Sequence, residues 1–345
     1  MNKSERKILC TGGAGYIGSH TVISLVEEGY NVHILDNLSN SDPEVVNRIE
    51  QITKVKVPFF EIDIRDKESL LNLFKKEKYD AVIHFAGLKA VGISVSQPLE
   101  YYENNVVGTI RLLEVMKEVD CKILVFSSSA TVYLPKSTPL NETDPLGASN
   151  PYGQTKYIIE LMMKDIYNAS KGTKFSILRY FNPVGCHPSS LIGEDPEEPN
   201  NLLPYIQLVS VGRKEKLYVF GDDWPTRDGT GVRDYIHVSD LASGHVKALE
   251  KLLSLSDLDK TLDIYNLGCG NGVSVLEMVK NFEDASGKQI PYEITHRRPG
   301  DLASVIADPS KAESELGWKA EKSIFDACKS AYDWQFKNPY GYSKK

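Results

Sequence analysis

The stretch Cys10-Thr11-Gly12-Gly13-Ala14-Gly15-Tyr16-Ile17-Gly18 constrains this chain more than any other. It follows directly on the short apolar run Lys7–Thr11 (KILCT) and opens a segment, Ser19–Gly29, with helical apolar spacing. Gly12, Gly15 and Gly18 are three apart, and Gly13, Gly15 and Gly18 also satisfy G-x-G-x-x-G. Glycine permits a tight strand-to-helix turn and lets the backbone approach a pyrophosphate, which then rests on the amides of the helix N-terminus. Taken alone, the pattern also fits any tight βα turn. Context separates the two readings. A second apolar run, Asn31–Asp36 (NVHILD), ends in an acid 18 residues after Gly18. A carboxylate there accepts from the adenosine ribose hydroxyls, and Asn37 stands where an NADP-binding chain often has Arg. The turn points to dinucleotide binding, and to NAD.

The alternation continues. Asp80–Phe85, Lys122–Ser127 and Lys174–Arg179 are further short apolar runs, with Val57–Ile62 a weaker one, and Lys67–Lys78 has helical spacing. Strands that are apolar on both faces and separated by helices make a parallel sheet covered on two sides. The expected fold is a doubly wound α/β (Rossmann) sheet. Past Phe181, Pro, Asn, Gly and acidic residues crowd the stretches Gly193–Asn201 and Asp223–Gly231, and a later strand is expected at Asp263–Leu267. The chain thus divides into an NAD-binding domain over 1–181 and a smaller C-terminal α/β substrate domain over 182–345, the two interdigitating. Tyr340–Lys345 reads as a frayed tail.

Composition removes other classes. A net charge of −7 over 345 residues argues against a broad nucleic-acid or anionic-membrane surface. There is no apolar run of about 18 residues to span a membrane, and the polar start lacks a signal-peptide core. Cys10, Cys121, Cys186, Cys269 and Cys328 are dispersed and include no CxxC pair. Reduced, mostly buried thiols, a cytoplasmic setting and no metal are expected.

Chemistry enters with Tyr152-Gly-Gln-Thr-Lys156, where Tyr and Lys are one helical turn apart on one face. Asn150-Pro151 supplies the helix start. An adjacent ammonium stabilises phenolate, so Lys156 and a cationic nicotinamide would let Tyr152 act as a general base. The spacing alone also fits an ordinary surface pair. It gains weight from the glycine turn and from the strand end Val125-Phe-Ser-Ser-Ser129. Hydroxyls at the C-terminal end of a parallel strand lie where open α/β sheets bind ligands. Ser129 is assigned to the substrate hydroxyl; Ser127 and Ser128 read as turn caps.

At these residues the chain resembles the extended short-chain dehydrogenase/reductases and, within them, the UDP-galactose 4-epimerases. The matching stretches are TGGAGYIGSHT from Thr11, DNLSNS from Asp36, HFAGLKAVG from His84, PLEYYENN from Pro98, FSSSATVY from Phe126, LRYFNPVG from Leu178, PNNLLPYI from Pro199, GTGVRDYIHV from Gly229 and RRPGD from Arg297. The resemblance implies that UDP-glucose and UDP-galactose are interconverted through a 4-keto sugar by a homodimer. On the NAD side it implies Gly12, Gly15, Tyr16, Ile17 and Gly18 at the turn. Asp36, Asn37 and Asn40 fall at the adenosine ribose, and Asp63 and Ile64 at the adenine. Phe85, Ala86, Gly87, Lys89 and Asn104 lie around phosphates and ribose, and Phe181 borders the nicotinamide beside Tyr152 and Lys156. Ser129, Tyr152, Asn182, Asn201, Leu202, Tyr218, Phe220, Arg233, Arg298 and Asp301 fall at the UDP-sugar. Val305 stands where bacterial members often carry Tyr, which leads to an expected activity on UDP-GlcNAc and UDP-GalNAc. Leu134 replaces a common Gly, and Ile93 a common Glu.

Two rival readings stand beside this one. Nucleotide-sugar dehydratases of this fold place Asp-Glu after the serine or threonine, where this chain has Ala130-Thr131, and decarboxylases need an added cation. A non-catalytic NAD sensor would be expected to lack Tyr152 or Lys156.

Overall fold

Odd and even residues of each apolar run go to different cores, and that parity organises the molecule. In the computed structural model, which describes residues 2–136, 139–298 and 300–342, Ile8, Cys10, Val32, Ile34, Ile83 and Val125 join one buried cluster. Leu9, Leu35, Val82, Leu124 and Phe126 join the other. Side chains alternate across a strand with period two, so a strand apolar at every position must be covered on both faces.

The strands are β1 (Lys7–Thr11), β2 (Asn31–Asp36), β3 (Phe59–Glu61), β4 (Ala81–His84), β5 (Ile123–Ser129), β6 (Lys174–Tyr180), β7 (Asn182–Val184), β8 (Leu217–Phe220), β9 (Val232–His237), β10 (Thr261–Leu267), β11 (Gly272–Ser274), β12 (Tyr292–Thr295) and β13 (Ser304–Val305). Seven of them form one parallel sheet in the order β10-β6-β5-β4-β1-β2-β3. Helices Tyr16–Glu27 and Val238–Ser254 pack together on one face, and helices Lys67–Glu77 and Gly108–Glu118 pack together on the other. Pro151–Ala169 lies with the latter pair, its Ile159 and Met163 in the same cluster. After Phe181 the chain leaves this sheet: β7 pairs with β9, which also carries β11 and β13, and β8 pairs with β12.

Expected strands and helices recur within a few residues. The weak candidate at 57–62 is a strand only over Phe59–Glu61, and β5 runs on to Ser129. The strand expected in the C-terminal half, β10, returns to the first sheet and pairs with β6 from Thr261↔Lys174 to Leu267↔Tyr180. The expected frayed tail is corrected as far as it is described. Tyr342 is buried against Trp334; its hydroxyl donates to the Gly193 carbonyl and accepts from the Gly193 amide. A large ring with a satisfied hydroxyl holds the chain end down. Residues 343–345 lie outside the described residues. All five cysteines are unpaired, and all but Cys269 are buried. Among the described residues no helix is long and apolar enough to cross a membrane.

Candidate active site

The carboxyl ends of β1, β2, β4, β5 and β6 meet along one edge of the sheet, and the site is built there. At β1 the turn is backbone packed on backbone. Gly12 has φ +68°, and a Cβ on it would lie 2.6 Å from the Ala86 amide nitrogen; a Cβ on Gly18 would lie 2.2 Å from the Gly12 carbonyl oxygen. A Cβ on Gly15 would meet only the Gly12 carbonyl oxygen, at 3.2 Å. Gly15 caps the helix that starts at Tyr16, whose first-turn amides have no intrahelical acceptor. This is a cradle with anion-seeking donors at its floor.

Asp36 is buried, and its carboxylate accepts from the amides of Ala14 at 3.1 Å and Leu38 at 3.0 Å and from the Ser41 hydroxyl at 2.9 Å. It therefore clamps the turn as well as closing it with negative charge. Burial raises its pKa, and these hydrogen bonds oppose the shift. Asn37 donates to Asp63 at 2.9 Å, and Arg65 grips Asp63 with two nitrogens, holding that carboxyl below the usual range. Asn40 is exposed on the loop after β2. Ile64 is buried against Gly108. Phe85 and Ala86 donate their amides to the Thr11 carbonyl, and Gly87 lies beside Lys156 and Asn105. Lys89 pairs with buried Glu194 at 2.5 Å, Asn104 donates to Asn105, and the Tyr16 hydroxyl donates to the Gly185 carbonyl at 2.6 Å.

Helix Pro151–Ala169 brings Tyr152 and Lys156 to the end of β5. Asn150 caps it, accepting from the Gly153 amide at 2.9 Å, with Pro151 at its first position. The Tyr152 hydroxyl is hydrogen-bonded to Ser129, whose oxygen also accepts from the Thr131 amide and hydroxyl at 3.2 and 3.0 Å. The Lys156 ammonium donates to the Ser127 carbonyl at 2.7 Å and lies 5.9 Å from the Tyr152 ring centre. Burial pushes Tyr152 up to about 12, opposed by the Ser129 hydrogen bond, and pulls Lys156 down to about 8, opposed by Glu160. Lys156 thus lies near the Tyr152 ring while its ammonium is anchored on the strand.

Asp301 joins the two arginines of the far side. Arg298 Nε donates to it at 3.0 Å, Arg233 Nη2 lies 3.9 Å away, and the Arg298 guanidinium sits 4.7 Å over the Phe220 ring. Tyr218 and Phe220 both point outward from β8, Asn182 is on β7, and Asn201 caps the helix that begins at Leu202. Val305 pairs with Arg233 across β13 and β9 and packs on the cluster containing Phe181. Pro299 of the RRPGD stretch lies outside the described residues. Exposed Leu134 covers Gly147.

Several residues of the site were not singled out from sequence. Asn105, in a π-helical turn at Tyr102–Val107, bonds both backbone groups of Leu88 and the Thr155 hydroxyl. Glu160, Arg179, Tyr133 and Asn266 form a buried chain of hydrogen bonds behind the strand end. The available signal was a π-bulge or a charge inside an apolar pattern, and neither has a unique spacing.

The family model described as GDP-mannose 4,6 dehydratase matches residues 9–331. A UDP-glucose 4-epimerase of Bacillus subtilis (strain 168) is 55% identical over 337 residues, 97% of this chain and 98% of the relative. A solved UDP-glucose-4-epimerase from Stenotrophomonas maltophila, with bound NAD and formylated UDP-arabinopyranose, gives a TM-score of 0.94 at 46% identity, covering 97% of this chain and 99% of that one. That of Bifidobacterium longum, in complex with NAD+ and UDP, gives 0.92 at 50% identity with coverage of 97% and 99%. With likeness of this degree over nearly the whole of each chain, and a glycine cradle, Tyr152 and Lys156 at one sheet edge, this chain belongs to the UDP-glucose 4-epimerase family.

Proposed function

We propose that the protein interconverts UDP-glucose and UDP-galactose through a 4-keto sugar, using tightly bound NAD. The observation that carries this reading is the meeting of Tyr152, Ser129 and Lys156 at the end of β5, beside the glycine cradle. The residues present fit NAD: the open backbone at Gly15 suits a pyrophosphate, and the buried carboxylate of Asp36 suits a ribose diol and repels a 2′-phosphate. When bound, NAD supplies the hydride acceptor and donor and, oxidised, a positive ring.

Tyr152 takes the proton of the sugar 4-hydroxyl while Ser129 holds that hydroxyl. A phenol raised by burial ionises near neutral pH only beside positive charge, and Lys156 contributes part of it. Arg233 and Arg298 are assigned to the diphosphate and Asp301 to the uridine ribose. Tyr218 and Phe220 are assigned to the uracil, and Asn182, Asn201 and Leu202 to the rest of the nucleotide sugar. Residues 1–181 hold most of the cofactor site and 182–345 most of the substrate site, the two spans interdigitating at Ser129 and Tyr152. The sugar must turn over so that hydride returns to its other face, which favours a clamped UDP and a loosely held hexose. Exposed Val95, Leu99 and Leu161, on neighbouring helices, support a homodimer, and the unpaired thiols support a cytoplasmic setting.

The dehydratase reading is disfavoured because Ala130-Thr131 offers no acid; the Thr131 hydroxyl is engaged with Ser129. The test is product analysis from UDP-galactose with no NAD added. Accumulation of UDP-glucose alone is expected; 4-keto products, or no turnover, overturn the reading.

A further inference from the structure

One carboxylate ties the helix that carries Tyr152 and Lys156 to both strands beneath it. Tyr152, Lys156 and Glu160 follow at four-residue steps on Pro151–Ala169, so all three face the sheet. Glu160 Oε1 accepts from the Ser128 hydroxyl at 2.5 Å and from Arg179 Nε at 3.1 Å, and Oε2 accepts from Arg179 Nη2 at 2.7 Å. Ser128 and Arg179 are register partners on β5 and β6. All three are buried, with exposures of 5% for Glu160 and 1% for each partner. Arg179 Nη1 also donates to the Tyr133 hydroxyl at 2.9 Å and to the Glu142 carbonyl at 3.1 Å.

A buried ion pair seldom stabilises more than an apolar replacement, so its place needs another reason. The neighbours of Ser128 supply one. Ser129 meets the Tyr152 hydroxyl, and the Ser127 carbonyl accepts from Lys156 at 2.7 Å. Holding Ser128 holds both groups that the catalytic pair touches.

Resting on the epimerase reading, we infer that Glu160 is a positioning residue of the reaction: by gripping Ser128 and Arg179 it sets Tyr152 and Lys156 against Ser129 and the Ser127 carbonyl. Ionisable groups around this pair come from every packed element. They are Tyr152 on the same helix, His84 on β4, Arg179 and Tyr180 on β6, Tyr133 beyond β5, and Tyr101. His84 is held neutral by burial, its pKa lowered to about 3, and the tyrosines are raised by burial; Arg179 is the cation paired with Glu160, and the Glu160 carboxylate, one helical turn from Lys156, favours the charged form of that lysine.

Ser128→Ala deletes one hydroxyl and leaves the ion pair. It should lower kcat about fivefold, the size of one hydrogen bond, with KM for UDP-galactose unchanged. Glu160→Gln keeps the shape and drops the charge, so Lys156 loses its proton more readily and the alkaline limb of kcat should move to lower pH by about one unit. Glu160→Asp should keep the parental limb while kcat falls. Parental kcat and pH profile in folded Ser128→Ala and Glu160→Gln overturn the inference. If Glu160→Gln does not fold, parental kcat in Glu160→Asp overturns it instead. Amide hydrogen exchange over 154–160 tests the clamp independently of turnover: it should quicken in Ser128→Ala, and unchanged exchange counts against the clamp. A parent protein without turnover defeats the epimerase reading alone, and the exchange experiment still decides whether the clamp exists.

Discussion

The two sides of the site are built on opposite plans. Around the glycine turn and the Tyr152–Lys156 pair the central groups are backbone or buried side chains, with Asn40 and Lys89 at the exposed rim: Gly12 abuts Ala86, Asp36 is 6% exposed and Lys156 5%. Around the arginine cluster proposed for the sugar nucleotide, Tyr218 is 43% and Phe220 37% exposed and the Arg298 side chain 53%, while Arg233 and Asp301 are partly covered. The first side is fixed by parallel register, the second by an Arg298–Asp301–Arg233 cluster and a guanidinium on a ring. On the proposed function, the buried cradle serves a cofactor that stays and the exposed cluster a substrate that leaves.

The largest effect expected is at the junction of the two sides. Tyr152→Phe removes the hydroxyl that meets Ser129 and should lower kcat by ~10²–10⁴-fold, the range for losing a general acid–base group. Bound NAD, read from absorbance and from extraction of the purified protein, should be unchanged. Turnover near the parental rate in that variant would remove Tyr152 from the chemistry.

Next in size is a paired test of the contrast itself. Gly12→Ala forces a Cβ to within 2.6 Å of the Ala86 amide at φ +68°, so it should lower thermal stability and cofactor content together. Arg298→Ala removes an exposed cation. It should raise KM for UDP-galactose about tenfold, as for one charge-assisted hydrogen bond, at an unchanged melting temperature. The contrast breaks if the arginine variant melts early or the alanine variant at the turn does not.

What the sequence made legible follows the same division. β1, β2, β4, β5 and β6 are written locally, because a strand buried on both faces must be apolar throughout. The glycine turn and the 152–156 spacing are equally local. β7, β8, β11, β12 and β13 are two to four residues long, and their pairing depends on partners distant in the chain. β10 reads as a strand, yet its sheet is decided by its register with β6, which no local pattern encodes. The Lys156 anchor escaped for the same reason: spacing puts the ammonium near the Tyr152 ring, and its bond to a backbone carbonyl 29 residues upstream depends on a distant strand. Tyr342 reads as tail because its pocket comes from Gly193 and Trp334.

A smaller effect is expected in acid. Burial lowers His20 and His84 to about 3 and His237 and His245 to about 4. Below the unfolded value of 6.5 the unfolded chain binds protons that the native histidines refuse, so stability falls as pH drops from about 6.5 toward 4. Each histidine contributes up to ~1.4 kcal/mol per pH unit. Asp36, Asp195, Asp234 and Asp240 oppose this, since burial raises them, Asp234 to about 6, and the native state gains from protonating them. Burial lowers His33 and His187 as well, so six histidines act in this direction and the four carboxyls offset part of the slope. His20 lies on the helix Tyr16–Glu27, His84 ends β4, His237 ends β9 and His245 lies on the helix Val238–Ser254. Urea unfolding at pH 7, 5.5 and 4.5 should show falling stability; a flat profile contradicts the assignment.

The smallest effect expected, and the one that probes the clamp most finely, concerns Val305. It lies opposite Arg233 in the β13–β9 register and packs on the cluster of Phe181, Val132, Tyr133, Leu140 and Ala307. Ile306, the bulkier neighbour, turns the other way: a Cβ on Gly272 would lie 2.6 Å from its Cδ1. The space beside Val305 is thus not filled by Ile306. By resemblance this position lies near C2 of the hexose, where a tyrosine ring would overlap an acetamido group. Valine removes the ring and leaves no hydroxyl to satisfy. The protein should therefore also interconvert UDP-GlcNAc and UDP-GalNAc, and Val305→Tyr should lose that activity by about tenfold or more while keeping UDP-galactose turnover. An apolar contact alone discriminates by ~1–3 kcal/mol, and a ring held on a paired strand has less freedom to retreat from a clash than one on a loop. Activity on UDP-GalNAc, measured for parent and variant, decides the matter. A parent inactive on UDP-GalNAc, or a variant that retains full activity on it, shows that the width of the pocket is set by the exposed clamp rather than by Val305 on its strand.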